Sequence, residues 1–101
     1  IILPYITIVF SAEVINALTG NYYKRALKRG LHPEALRIVL DKLINNETLD
    51  AKYRDHQLVD SRKYKNVREC HIQPDWLLIY YSDQENLILT LVRTGTHSDL
   101  F

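Results

Sequence analysis

Three histidines, the turn aspartate Asp75 and a carboxyl-terminal aromatic fall in three short strings: YRDHQL over Tyr53 to Leu58, RECHIQPDWLLIY over Arg68 to Tyr80, and RTGTHSDLF over Arg93 to Phe101. The members singled out for chemistry are His56, His71, Asp75 and His97, with Arg93 at the head of the last string. Imidazoles change charge near neutral pH, and carboxylates and a guanidinium beside them complete a set suited to moving protons at an anionic centre. Cutting a phosphodiester by proton transfer needs such a set, so the residues point to RNA cleavage.

Metal chemistry fits the spacing poorly. On a strand running from Val67, alternation puts Val67, Glu69 and His71 on one face and Arg68, Cys70 and Ile72 on the other, which separates Cys70 from His71. His71 and Asp75 stand four apart, a ligand spacing on a helix, but Pro74 between them argues against a helix. No metal and no cofactor are expected. Read singly, His71 is a half-buried strand residue, Trp76 a core aromatic and Phe101 a C-terminal anchor.

The elements that must position these groups are legible in outline. Tyr5 to Phe10 is rich in β-branched and aromatic residues and reads as a strand, with Ser11 as the cap of a helix over Ala12 to Leu18. Thr19-Gly20-Asn21 interrupts that helix before Tyr22 to Arg29, so the region is one kinked helix or two short ones, closed by Gly30. Pro33 opens a further helix whose Leu36, Val39, Leu40, Leu43 and Ile44 recur at helical spacing. Residues 47–65 are polar and without period, a length that in a compact domain is usually functional or partly structured. Three strands follow, over Val67 to Ile72, Trp76 to Ser82 and Leu87 to Arg93, joined by short polar turns. The expected fold is α+β, β-α-α-β-β-β, with the helices packed on a small antiparallel sheet.

A chain of 101 residues with 47% hydrophobic and 25% charged residues reads as one globular domain, 1–101, with neither repeats nor low-complexity segments. The formal charge is only +1, but it is unevenly placed. Lys24, Arg25, Lys28, Arg29 and Arg37 face Glu34 alone between Asn21 and Arg37, and Lys52, Arg54, Arg62, Lys63, Lys65 and Arg68 outnumber the acids between Lys52 and Glu69. Such runs suit a polyanionic partner, or are merely solvated faces. Cys70 is the single cysteine, so no intrachain disulfide is possible and a reducing, cytoplasmic setting is expected. The opening IILPYITIVF is too short to span a bilayer and lacks a basic start, so no membrane is expected as a partner.

Taken together, the three strings resemble the signature of the YafQ branch of the RelE superfamily, the ribosome-associated messenger-RNA endonuclease toxins of bacterial type II toxin-antitoxin modules. KRALKRG, Lys24 to Gly30, is similar to that branch's first helical region, and the resemblance runs from about Tyr22 to Phe101. It implies metal-free cleavage, in which the ribose 2′-hydroxyl attacks the adjacent phosphate to give a cyclic phosphate and a free 5′-hydroxyl. By motif position His56, His71, Asp75 and His97 form the catalytic group, His97 as the acid and either Asp75 or His71 as the base. Arg93 would stabilise the phosphate oxygens, and Phe101 would stack on a base. Lys24, Arg25, Lys28, Arg29, Lys52, Arg54, Lys63 and Lys65 would contact ribosomal RNA phosphates. The implied partners are messenger RNA on the ribosome and a cognate antitoxin protein.

Two stretches depart from the family pattern. Residues 1–20 are apolar, with Glu13 their only charge, where a lysine-rich helix is usual; an exposed apolar helix there would be a partner-binding patch. VDSRKYKNV, before Arg68, lacks an expected glycine. Two other readings stay open: a non-catalytic RNA- or protein-binding regulator on the same fold, and a small metal-dependent hydrolase.

Overall fold

The structure is a computed structural model that describes residues 7–101; Tyr5 and Ile6 of the expected first strand lie outside the described residues. The chain runs β1 (Thr7–Phe10), α1 (Ala12–Ala17), α2 (Gly20–Lys28), α3 (Pro33–Ile44), a 3-10 turn (Ala51–Tyr53), β2 (His56–Gln57), β3 (Arg68–Gln73), β4 (Trp76–Asp83), β5 (Ile88–Gly95) and α4 (His97–Leu100). The five strands form one sheet in the order β1-β5-β4-β3-β2. Among the described residues no helix is long and apolar enough to cross a membrane.

The α+β class holds, with two differences in the sheet: the short β2 adds a fifth strand within residues 47–65, and one pairing is parallel. β1 pairs with β5 in parallel, while the other three pairings are antiparallel. The reason is the connection: β1 and β5 are separated by three helices and the strands β2 to β4, and only a long connection of this kind, not a hairpin, can join parallel neighbours.

Local chemistry explains the helices. The Ser11 hydroxyl accepts from the Val14 amide at 3.1 Å and donates to the Val92 carbonyl at 2.6 Å, so one side chain caps α1 and ties it to β5. Gly20 sits at φ +64°, a left-handed conformation that glycine adopts without strain, and it divides α1 from α2. The interrupted helix is therefore two. In α3, Val39 is fully buried and Leu36, Leu40, Leu43 and Ile44 pack against the same core, as the helical spacing predicts.

Alternation along the strands builds a core on each face of the sheet. Cys70, Ile72, Trp76, Leu78, Tyr80, Leu89 and Leu91 meet Val14, Ala26 and Val39 of the helices and Leu31 of the α2–α3 connection. Val67, Leu77 and Ile79 meet Tyr64 and Leu100 on the opposite face. Residues 47–65 join the two: Leu49 and Tyr53 insert on the helix side, and Tyr64 beneath the other face. Asn66 takes the left-handed turn before β3 at φ +54°, a conformation that asparagine tolerates, with its backbone amide bonded to the Asp60 carboxylate at 2.8 Å. Leu78, 1% exposed, sits in the helix-side core. Leu78→Ala is expected to destabilise the fold by about 2–5 kcal/mol, measured by urea denaturation.

Candidate active site

Register decides which side chains share a face, because directly opposed residues of an antiparallel pair point the same way. His56 opposes Glu69, Glu69 opposes Ile79, His71 opposes Leu77, and Arg93 opposes Ile79. His56, Glu69, His71 and Arg93 therefore stand on the face away from the helices. Leu77 also opposes Gly95, so His71 and the end of β5 flank one point on β4. Asp75 lies in the β3–β4 turn at the same end, and its carboxylate accepts from the His97 amide at 3.4 Å. His71, Asp75 and His97 gather at one end of that sheet face, and His56 stands on the same face across from Glu69.

Each ring has identifiable neighbours. His97 is the first residue of α4, and its imidazole lies 5.0 Å from the Phe101 ring at a tilt of 32°. Phe101, half exposed, is buttressed edge-on by Tyr64 at 5.5 Å. Tyr64 donates its hydroxyl to the Leu100 carbonyl at 2.9 Å, and Lys63 Nζ reaches the same oxygen at 3.3 Å. Burial pushes the Tyr64 phenol above its ordinary range. His71 Nδ1 lies 3.2 Å from the Pro74 carbonyl, and His56 Nδ1 lies 2.7 Å from the Arg54 carbonyl.

Glu69 was not singled out from the sequence. It is 7% exposed, and its Oε1 lies 3.7 Å from His56 Nε2 and 3.6 Å from His71 Nε2. The available signal was its place between Val67 and His71 on the inward face of a strand, where an acid needs a partner. Asp55, next to His56, accepts from Tyr80 Oη at 2.5 Å and from Arg68 at 3.1 and 3.3 Å. That network anchors the segment carrying His56 to the opposite face of β3 and β4.

Arg93 donates from Nη2 to the Asp99 carbonyl at 3.4 Å. The Asp99 carboxylate accepts from the Tyr22 hydroxyl at 2.7 Å and the Thr96 amide at 3.0 Å. Burial works to raise the Asp99 carboxyl, but the hydrogen bonds from Tyr22 and Thr96 outweigh it and hold it below the usual carboxylate range. Burial and the neighbouring carboxylate push the Tyr22 phenol up to about 12.

The cations are divided. Lys52, Arg54 and His71 line a groove of about 470 Å³ between α3 and the β3–β4 turn. Arg29 lines a second cleft with Asp75 and Trp76. Lys24, Arg25, Lys28 and Lys65 are exposed and line neither. Trp76 is structural: its indole donates to Thr94 Oγ1 at 3.2 Å, and that hydroxyl donates to the Leu77 carbonyl at 2.8 Å. Cys70 is fully buried and its thiol is pushed up to about 12 by burial, so it takes no part in the site. Among the described residues no three His, Cys, Asp or Glu groups converge closely enough to grip one metal ion.

Residues 16–101 match the family model described as the bacterial toxin of type II toxin-antitoxin systems, YafQ. The chain belongs to the YafQ toxin family. The Escherichia coli K12 member, named mRNA interferase toxin YafQ, is 42% identical over 87 residues, covering 82% of this chain and 90% of its own. The YafQ fold seen in the E. coli DinJ-YafQ toxin-antitoxin complex superposes with a TM-score of 0.77 at 35% identity, over 97% of this chain and 99% of that one. A metal-bound toxin from Helicobacter pylori gives 0.77 at 36% identity, over 95% of this chain and 99% of that one. The YafQ family match begins within α1, so β1 and the exposed Ile15 beside it are not carried by the family model.

Proposed function

We propose that this YafQ-family chain is an endoribonuclease that cuts messenger RNA on the ribosome and is silenced by a cognate protein antitoxin. The observation that carries the reading is the alignment of His71, Asp75 and His97 across one end of a sheet face, with Arg93 on the same face. The ribose 2′-oxygen attacks phosphorus, and its proton passes to Asp75 or His71. The bond from phosphorus to the 5′-oxygen breaks, and His97 protonates the departing oxygen. The products are a 2′,3′-cyclic phosphate and a 5′-hydroxyl. Arg93 meets the charge developing on the non-bridging oxygens, and the free face of Phe101 receives a base.

Single-stranded message enters along the groove bordered by Lys52 and Arg54, while the exposed cations of α2, with Lys63 and Lys65, meet ribosomal RNA phosphates. His56 supports the site through Glu69. A metal-bound toxin from Helicobacter pylori is among the similar structures, and the proposed reaction is written without a metal.

The test is purified protein added to ribosomes translating a defined message, with mapping of new 5′ ends, with and without a transition-metal chelator that spares magnesium. Cuts bearing 5′-hydroxyls, unchanged by the chelator, are expected. Loss of cutting with the chelator overturns the metal-independent mechanism, and intact message throughout overturns the endonuclease reading in favour of the regulator.

A further inference from the structure

The His97 ring is held by nothing of its own. Among the described residues no hydrogen bond to another side chain or to the backbone restrains the imidazole; the ring meets Phe101, and only the His97 backbone amide bonds to Asp75. Its position is inherited from the backbone of α4. That helix has four residues, a single turn, and a single turn does not hold itself together in water. Something outside α4 must fix it.

Two anchors are present. One is the C-terminal end, where Leu100 is buried and its carbonyl is bound by Tyr64 and Lys63. The other is the N-terminal end, where Thr96 and Asp99 form a reciprocal capping box. Here the capping carboxylate is itself gripped from 77 positions away, by the Tyr22 hydroxyl of α2. Gly95 packs against this junction so closely that an added Cβ would lie 3.1 Å from Asp99 Cβ and Oδ2 and 3.3 Å from Tyr22 Oη. The lowered Asp99 carboxyl and raised Tyr22 phenol keep carboxylate and hydroxyl in these donor and acceptor states at neutral pH.

We propose that Tyr22 and Asp99 are positioning residues for His97: the phenol pins the carboxylate that caps α4, and the pinned cap fixes where the imidazole stands over the scissile phosphate. Neither touches the RNA. A displacement of about 1 Å at a reacting group lowers a rate by about 10²-fold, so a bond remote from the chemistry can govern it.

The inference rests on the assignment of His97 in the proposed reaction, and the test separates the two. Tyr22→Phe, Asp99→Ala, the double variant and the near-isosteric Asp99→Asn are compared in single-turnover cleavage on ribosomes. Ring-current displacement of the His97 proton signals by Phe101 is followed by NMR on the free protein. Tyr22→Phe and Asp99→Ala are each expected to lower kcat about 10- to 100-fold with KM changed less than about 2-fold. The double variant should be no worse than Asp99→Ala, since both remove one link. Asp99→Asn, which keeps an oxygen acceptor for both donors, should stay within about 3-fold of the parent. The His97 signals should shift in the damaging variants alone.

Additive losses, a collapsed Asp99→Asn, or unmoved His97 signals would overturn the proposal. So would an equal loss of kcat in Leu78→Ala at a temperature giving the same folded fraction. If His97→Ala cleaves like the parent, the catalytic reading fails, while the NMR signals still decide whether the pin holds the ring.

Discussion

His97→Ala is expected to lower cleavage about 10²- to 10⁴-fold, the range of a removed general acid or base. Its stability should hold within about 0.5 kcal/mol, because His97 is exposed and an exposed substitution rarely does more. The variant removes the ring contact with Phe101 as well as a proton donor. A substrate with sulfur in place of the scissile 5′-oxygen separates the two effects. A thiolate departs without protonation, so His97→Ala should cleave that substrate nearly as well as the parent does if His97 is the acid. If the defect persists on the sulfur substrate, His97 serves as base or as scaffold, and the assignment of roles fails.

The elements on either side of this site differ in how far residue patterns reveal them. α3 is a long periodic helix opened by a proline, and nothing in its surroundings competes with that pattern. The faces of β3 follow from alternation, since Cys70 and Ile72 enter the helix-side core while Val67 enters the other. Pairing, by contrast, is set by distant partners. The two-residue β2 has too little sequence to signal a strand, and the parallel seat of β1 beside β5 depends on where three helices leave the chain. The four-residue α4 is visible only through its cap, Thr96 followed three residues later by Asp99, a short form of a familiar helix-start pattern.

The site itself was legible as a set of residue types and not as a geometry. His71, Asp75 and His97 meet because turns and strand ends superpose, which the motifs mark and alternation alone does not establish. Two irregularities do the rest. In β3 the register shifts between His71 and Gln73, which sends Gln73 to the helix side, where it accepts from the His32 amide at 2.8 Å and donates to the Gly30 carbonyl at 2.9 Å. That clamp ties the turn bearing Asp75 to the junction of α2 and α3. In β5 the register shifts between the pairs Ile79 with Arg93 and Tyr80 with Leu91, leaving Val92 as the extra residue.

The bulge at Val92 gives Arg93 its place, and it leads to the second large effect. Leu89 and Leu91 point into the helix-side core, so strict alternation would send Arg93 there too. The extra residue reverses the phase: Arg93 shares a face with Ile79, and Thr94 turns inward to meet Trp76. A guanidinium held at the edge of the site, with donors left after its bond to the Asp99 carbonyl, suits an anion whose charge grows during reaction. Arg93→Ala is expected to lower kcat about 10²- to 10³-fold, with a smaller change in KM, the pattern of a contact made in the transition state. Arg93→Lys should recover little, because a point charge cannot reproduce the planar fork. A purely architectural Arg93 would behave differently: the loss of kcat would follow the folded fraction measured by denaturation, and lysine, which still reaches a carbonyl, would restore most of it. Parallel measurement of kcat, KM and urea midpoint for the two variants decides between these roles.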